Sequence, residues 1–220
     1  MADDKLKEIN LNLSISYLSS FYIGSGVGDN KRVDNTVVKN SNGLPYIPGS
    51  SIKGRVKYNL NKILNSISLN DIDSFDDNNY SSCQNQNKIC KTKHVKESCL
   101  NCRLFGSEFF NGSLMFSQGS LSEELKETIN EYGGIKNYVT HLFDVRSSNK
   151  LNRKLNTTEP GSLFNFETIN PEYTFQATIN GQVYITEMEL KLFKSSIELI
   201  DYIGGNKSKG LSRCNIEINE

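Results

Sequence analysis

Hydrophobic residues occupy every second position in three segments of the chain. The pattern runs from Glu8 to Tyr17, from Phe175 to Ile179 and from Leu211 to Ile218. Because successive side chains of a strand point to opposite faces, each segment is predicted to be a strand with one buried face. The last third of the chain therefore repeats the plan of the beginning.

Two longer segments change to a helical period. Ser50 or Ser51 is the predicted N-cap of the first helix. The apolar face of that helix comprises Ile52, Val56, Leu60, Ile63 and Leu64. The second helix is lined by Met188, Phe193, Ile197 and Ile200.

Shorter patterns fill the region between the two helices. They predict a strand at Ser113 to Ser117, a short amphipathic helix at Leu121 to Ile129, and a strand at Tyr138 to Val145. Strand, helix, strands, helix, strand is the ferredoxin-like order. We therefore predict an α+β fold with a ferredoxin-like (RRM-like) βαββαβ core, in a single domain over residues 1–220.

Charge and hydropathy narrow the classes of function only slightly. The 220 residues include 25 basic and 25 acidic side chains, which excludes a protein that is basic all over but not a local basic site. No apolar run approaches the roughly 20 residues that cross a bilayer, and the first ten residues are acidic and polar. We expect a cytoplasmic protein with no membrane partner.

A long polar stretch from Asn70 to Ser98 has scarcely any apolar periodicity, so we predict an inserted module over residues 67–102. Four cysteines and a histidine in this module suit a structural zinc ion. The preferred ligands are Cys90, His94, Cys99 and Cys102. Cys83 is the alternative to His94 or Cys90, and reduced cysteines without metal are the competing interpretation. Cys214 is interpreted as a small buried residue.

The segment GGNKSKGLSRC, which follows the second long helix, combines flexible glycines with three cations. Glycines let the main chain approach a phosphate closely, and Lys or Arg supplies charge. The candidate binding residues are Gly204, Gly205, Lys207, Lys209, Gly210 and Arg213. The alternative is a glycine helix stop followed by a turn with solvated lysines.

A second glycine-containing segment, GLPYIPGSSIKGR, leads into the first long helix. Backbone N–H groups at a helix start, together with Lys53 and Arg55, form a potential anion site that includes Ser50 and Ser51. The alternative is a rigid turn with a serine cap.

Together these segments give a family resemblance. The runs IGSG (Ile23–Gly26), LPYIPGSSIKGRV (Leu44–Val56), CRLFGS (Cys102–Ser107) and GGNKSKGLSR (Gly204–Arg213) resemble the RAMP superfamily of CRISPR proteins. EPGSLFNFETINPEYTF, from Glu159, is similar to a further stretch of the repeated backbone subunit of type III effector complexes. The glycine loop departs from the family pattern at Ser212, where a second closely spaced glycine is usual.

The resemblance implies a protein that coats guide CRISPR RNA through its phosphates, while base pairing reads the target RNA. The implied partners are both RNAs, further copies of the chain and other type III effector subunits. The resemblance also implies a protruding hairpin, for which we choose residues 146–160, with Arg146 as an RNA contact. A solvated loop is the competing interpretation of that segment.

The resemblance further implies an aspartate required for target cleavage. The matching position is Asp34, with Asp29 as the alternative. A free aspartate has a pKa of about 3.9 and is a weak base, so we expect it to hold Mg²⁺ or Mn²⁺ while a ribose 2′-hydroxyl attacks. The products would end in a cyclic phosphate.

Two other functions compete with RNA-guided cleavage. One is a non-catalytic RNA-binding RAMP subunit, in which Asp34 is only a turn residue. The other is a stand-alone ribonuclease that processes guide RNA with histidine chemistry at His141 or His94.

Overall fold

The structure is a mixed α/β fold with antiparallel sheets. It is a computed structural model that describes residues 5–28, 33–66, 90 and 94–219. The helices are α1 (Gly49–Ser66), α2 (Leu100–Phe105), α3 (Glu123–Glu131), α4 (Ile135–Leu142) and α5 (Glu187–Glu198), with short 3₁₀ helices at Val95–Glu97 and Lys207–Lys209. The strands are β1 (Lys5–Tyr17), β2 (Leu114–Phe116), β3 (Ser120–Leu121), β4 (Phe143–Ser148), β5 (Leu151–Asn152), β6 (Thr157–Thr158), β7 (Phe164–Ile169), β8 (Thr174–Ile185) and β9 (Cys214–Asn219).

The main sheet has the order β2-β8-β1-β9, and β3 also pairs with β8. Its register places Leu11 opposite Ile179 and Ile15 opposite Ile216, so apolar side chains from neighbouring strands meet on one face. The three alternating segments of the sequence are thus confirmed as strands of one sheet. Their polar positions, such as Asn10 and Asn12, are exposed on the other face.

The two long helices cover the apolar face of this sheet, and they contact each other. Both were predicted from their periodicity, and α1 buries Ile52, Val56, Leu60 and Leu64 as expected. The predicted serine cap is wrong, because α1 begins at Gly49 and the Pro48 carbonyl accepts the amides of Ser51 and Ile52. Within the described ranges, no helix is long and apolar enough to cross a membrane.

A second, two-stranded sheet pairs β4 with β7, and the chain between these strands forms the small β5–β6 hairpin. The hairpin lies within the predicted range 146–160. The predicted strand at Tyr138 to Val145 is wrong over its first half, which is α4. A short apolar run is compatible with the period of a strand and with that of a helix. Here Leu142 packs into the core from a helix.

The end of the predicted insertion belongs to the hydrophobic core. Residues 67–89 and 91–93 lie outside the described residues, but Leu100 and Leu104 of α2 are fully buried. The same helix carries the buried Arg103, whose guanidinium pairs with the carboxylate of Glu189 on α5. α2 is therefore attached to the layer of α1 and α5 by apolar packing and by this ion pair.

Candidate functional site

A groove of about 450 Å³ lies where the start of α1 meets the glycine-containing loop after α5. Five of the predicted binding residues line it, namely Ser50, Ser51, Arg55, Gly204 and Gly205. The other lining residues are Tyr22, Ile23, Gly24, Gly54, Tyr58 and Ile203. The two segments that the sequence analysis paired thus share one surface, although they are far apart in the chain.

Close packing explains the glycines on both sides of this groove. A Cβ atom on Gly49 would lie 2.3 Å from the Phe116 carbonyl oxygen. Gly204 has φ +131°, and a Cβ atom there would lie 2.5 Å from Ser212 Oγ and 2.7 Å from the Tyr22 carbonyl oxygen. A Cβ atom would clash with neighbouring atoms at both positions, so only glycine allows the segments that border the groove to pack this closely.

Ser212, at which the resemblance led us to expect glycine, adopts the left-handed conformation with φ +67°. Its buried hydroxyl accepts a hydrogen bond from the Tyr22 amide at 3.2 Å and donates one to the Gly205 carbonyl at 2.9 Å. These bonds offset the cost of positive φ for a residue with a side chain. The backbone conformation that glycine would adopt is therefore kept.

Tyr202 holds two cations beside the groove. Arg55 Nη1 donates to the Tyr202 hydroxyl at 2.5 Å, and its guanidinium carbon lies 3.6 Å from the ring centroid. The Lys207 ammonium lies 3.5 Å from the same centroid and 3.3 Å from an Asp201 carboxylate oxygen. Cation–π contacts thus bring two positive charges together around Tyr202, partly offset by Asp201.

The remaining predicted RNA contacts lie outside the groove. Lys209 donates to Ser148 Oγ at 3.1 Å and lies 5.7 Å from the Phe164 ring, so it faces the β4–β7 sheet. Arg146 on β4 donates to Ser20 Oγ at 3.1 Å. Lys53, Gly210 and Arg213 are not among the groove's lining residues either.

β4 pairs with one edge of β7. Asp34 is exposed and lies along the opposite edge of β7. Its amide donates to the Asn165 carbonyl at 2.9 Å, and its Oδ2 accepts from the Asn165 amide at 2.7 Å. The next residue, Asn35, pairs with Phe166, whose ring is 5.8 Å from the Lys209 ammonium. Asp34 does not line the groove, and its alternative, Asp29, lies outside the described residues.

A family model described as RAMPs, the RAMP superfamily, matches residues 14–215. The chain belongs to the RAMP superfamily. The predicted family is thereby confirmed over nearly the whole sequence.

Solved structures share the fold of this RAMP protein at low sequence identity. A chain of the "Type III-B Cmr-beta Cryo-EM structure of the Apo state" has a TM-score of 0.62 and 12% identity, covering 96% of this chain and 98% of its own. A chain of the "Cryo-EM structure of the Type III-B Cmr-beta bound to cognate target RNA" has a TM-score of 0.62 and 11% identity, covering 96% and 97%. A search of curated proteins gave no match.

Three cysteines of the RAMP chain come together at the start of α2. The Sγ atoms of Cys90, Cys99 and Cys102 all lie within 4.8 Å of one another. Cys99 precedes the first residue of α2 and Cys102 lies in its first turn, so the helix sets the CxxC spacing. Exposed His94 is outside this group, and Cys83 lies outside the described residues. Three thiols at this separation suit a tetrahedral zinc ion.

The structure does not support the predicted Mg²⁺ or Mn²⁺ site at Asp34. Among residues 5–28, 33–66, 90 and 94–219, the three cysteines are the only group of three or more potential metal ligands, and Asp34 is not in it. A lone carboxylate does not form a preformed Mg²⁺ or Mn²⁺ site. Cys214 does not belong to the cysteine group either, and burial raises the pKa of its thiol to about 12.

His141 lies on α4 in a cluster of aromatic rings. Its ring centroid is 5.0 Å from that of Tyr138 and 6.3 Å from that of Tyr132, and it does not line the groove. His94 is exposed and precedes the 3₁₀ helix Val95–Glu97. Neither histidine lies beside the groove that joins the two glycine-containing segments.

Sequence reasoning missed three tyrosines at the groove, namely Tyr22, Tyr58 and Tyr202. A tyrosine within a hydrophobic pattern is normally a core residue. The hydrophobic periodicity alone does not show which tyrosine rings reach the surface. The sequence did contain one signal for two of these tyrosines, namely their position next to the glycine motifs. Tyr22 directly precedes the IGSG run, and Tyr202 comes two residues before Gly204.

Proposed function

We propose that this RAMP chain is the guide-RNA-binding backbone subunit of a type III CRISPR effector ribonucleoprotein. The groove shared by the start of α1 and the glycine loop, with Arg55 and Lys207 beside it, is the observation that carries the proposal. Two structures of similar fold belong to type III-B Cmr-beta complexes, one of them bound to cognate target RNA. The proposed partners are guide RNA, target RNA, further copies of the chain and other effector subunits.

The groove would bind RNA by its phosphates. The N-terminal end of α1 favours negative charge, and the two cations held by Tyr202, Arg55 and Lys207, add positive charge. Such contacts ignore base identity, which suits a protein that accepts guides of any sequence. The ferredoxin-like core is part of this proposal, supported by the element order β1, α1, β2, β8, α5, β9.

We propose that Asp34 promotes cleavage of the paired target RNA. A carboxylate has about four acceptor sites, so the Asn165 bond leaves Asp34 able to accept from a ribose 2′-hydroxyl. The oriented 2′-oxygen would form a bond to the adjacent phosphorus while the bond to the 5′-oxygen breaks. The products are a 2′,3′-cyclic phosphate and a 5′-hydroxyl end, with the 2′ proton passing to solvent and the leaving 5′-oxygen taking a proton from solvent.

The β5–β6 hairpin would displace the nucleotide at which this cleavage occurs. The hairpin carries Leu151 in β5 and Leu155 at its tip, which are 63% and 70% exposed and thus able to contact bases. The competing function, a non-catalytic RNA-binding subunit, has one observation in its favour: among the described residues, Asp34 belongs to no group of three or more potential metal ligands.

Replacing Arg55 or Lys207 with Ala should weaken binding of short RNAs about equally for unrelated sequences. Each variant should also lower the slope of log affinity against log salt by about 0.7, the value for one phosphate contact on a single strand. Fluorescence anisotropy at several salt concentrations measures both quantities. Lys136→Ala, an exposed lysine on α4, is the matched control. A loss confined to particular sequences would contradict phosphate binding.

The cysteine cluster is proposed to bind structural zinc, with His94 or Cys83 as fourth ligand. Chain purified without chelators should contain about one equivalent of zinc, and Cys102→Ser should lose it and melt at a lower temperature. Elemental analysis and thermal unfolding measure the two effects. Cys214→Ala should keep the metal, and comparing His94→Ala with Cys83→Ala identifies the fourth ligand. Wild-type chain without zinc would contradict the site.

A further inference from the structure

A second cavity, of about 220 Å³, adjoins the groove on the side of α1 that follows Arg55. Tyr58 lines both cavities, so the two surfaces meet at this ring. Lys62, Tyr202 and Lys207 also line the second cavity. The surface available to a strand in the groove therefore continues past Tyr58.

Tyr58 combines exposure with two neighbouring cations. The residue is 47% exposed, which is high for a large aromatic side chain on a packed helix. The Lys62 ammonium lies 5.0 Å from its ring centroid and the Arg55 guanidinium carbon lies 5.8 Å away, because residues three and four apart share a helix face. An exposed ring beside cations is the combination that binds single-stranded nucleic acid, by stacking and by charge.

The charge around the second cavity is mainly positive. Lys62 and Lys207 line it, and Arg55 stands at its border with the groove through its contact with Tyr202. Asp201 is the opposing charge, and it pairs with Lys207 at 3.3 Å. Three cations and one carboxylate leave a net positive charge, which favours the binding of a phosphate.

We propose that this second cavity binds the next nucleotide of the RNA strand in the groove. Its base stacks on Tyr58, and its phosphate contacts Lys62 and Lys207. Tyr202 acts as a positioning residue that fixes Arg55 and Lys207 on either side of the junction. The inference rests on the proposed function, because it requires RNA in the groove, and it adds a contact that tolerates any base.

The test compares two RNA probes on the full chain. One is an oligouridine of about ten nucleotides, and the other is an equally long ribose-phosphate strand without bases. Tyr58→Leu should weaken oligouridine binding at least about fivefold, and Tyr58→Phe should restore it. The base-free strand should bind Tyr58→Leu as it binds wild type. Tyr132→Leu, at a tyrosine that is 57% exposed elsewhere on the chain, is the matched control.

Lys62→Ala should weaken both probes and lower the salt slope by about 0.7. The inference is overturned if Arg55→Ala weakens binding while the Tyr58 and Lys62 variants bind like wild type; the proposed function then stands. Equal losses on both probes for Tyr58→Leu would also overturn stacking. If Arg55→Ala and Lys207→Ala bind like wild type, the groove is not the RNA site, and both proposals fail.

Discussion

An Asp34→Asn variant, assembled with guide RNA and the other effector subunits, is expected to cut complementary RNA at least about 100-fold more slowly than wild type. Asparagine keeps a side-chain oxygen that can accept from the Asn165 amide, so the local backbone should be preserved. What the variant loses is the negative charge next to the attacking hydroxyl. Single-turnover cleavage of labelled target RNA measures the effect.

Guide-RNA binding should be unchanged in this variant, because Asp34 does not line the groove. Asp144→Asn provides the matched control, since Asp144 is an exposed carboxylate on β4 whose Oδ1 accepts a backbone amide. Full cleavage by Asp34→Asn would support the non-catalytic subunit. Loss of cleavage in Asp29→Asn alone would move the catalytic role to Asp29.

The largest effect on stability is expected for Arg103→Met, which should lower the free energy of unfolding by about 3–5 kcal/mol. Arg103 and Glu189 have side chains only 1% and 2% exposed, and Arg103 also donates to the Tyr184 carbonyl at 2.7 Å. Removing the guanidinium leaves a buried carboxylate without its cation. Urea denaturation followed by circular dichroism measures the change.

A second substitution tests the cause of this loss. Glu189 Oε2 accepts from the Thr186 amide at 2.8 Å, and the Glu189 amide donates to Thr186 Oγ1, forming a capping box at the start of α5. Glu189→Gln keeps an acceptor for that box while removing the charge. Arg103→Met with Glu189→Gln should therefore be more stable than Arg103→Met alone. A double variant that is less stable than the single variant would mean that the loss arises from packing instead of charge.

The Arg103–Glu189 ion pair is linked to the cysteine cluster through α2, because Arg103 directly follows Cys102 in this helix. Zinc bound at the start of α2 would hold the helix whose guanidinium neutralises Glu189 on α5. We therefore expect metal loss to destabilise the core as well as the cysteine cluster.

Periodicity in the sequence determined the main elements of the fold. The alternating positions in β1, β8 and β9 and the helical spacing in α1 and α5 each require one apolar face, and one sheet covered by two helices buries them all. Periodicity failed at α4, where the apolar run was too short to separate the two periods.

The sequence also indicated that the start of α1 and the loop from Gly204 form one site, since motifs of this kind occur together in the RAMP superfamily. Which side chains reach that site was decided by tertiary structure. Tyr202 holds Arg55 and Lys207 beside the groove, whereas Lys209 turns toward Phe164 on the β4–β7 sheet. Each of these cations lies within two residues of a glycine in the sequence, but only packing of distant strands and helices fixes the direction of each side chain.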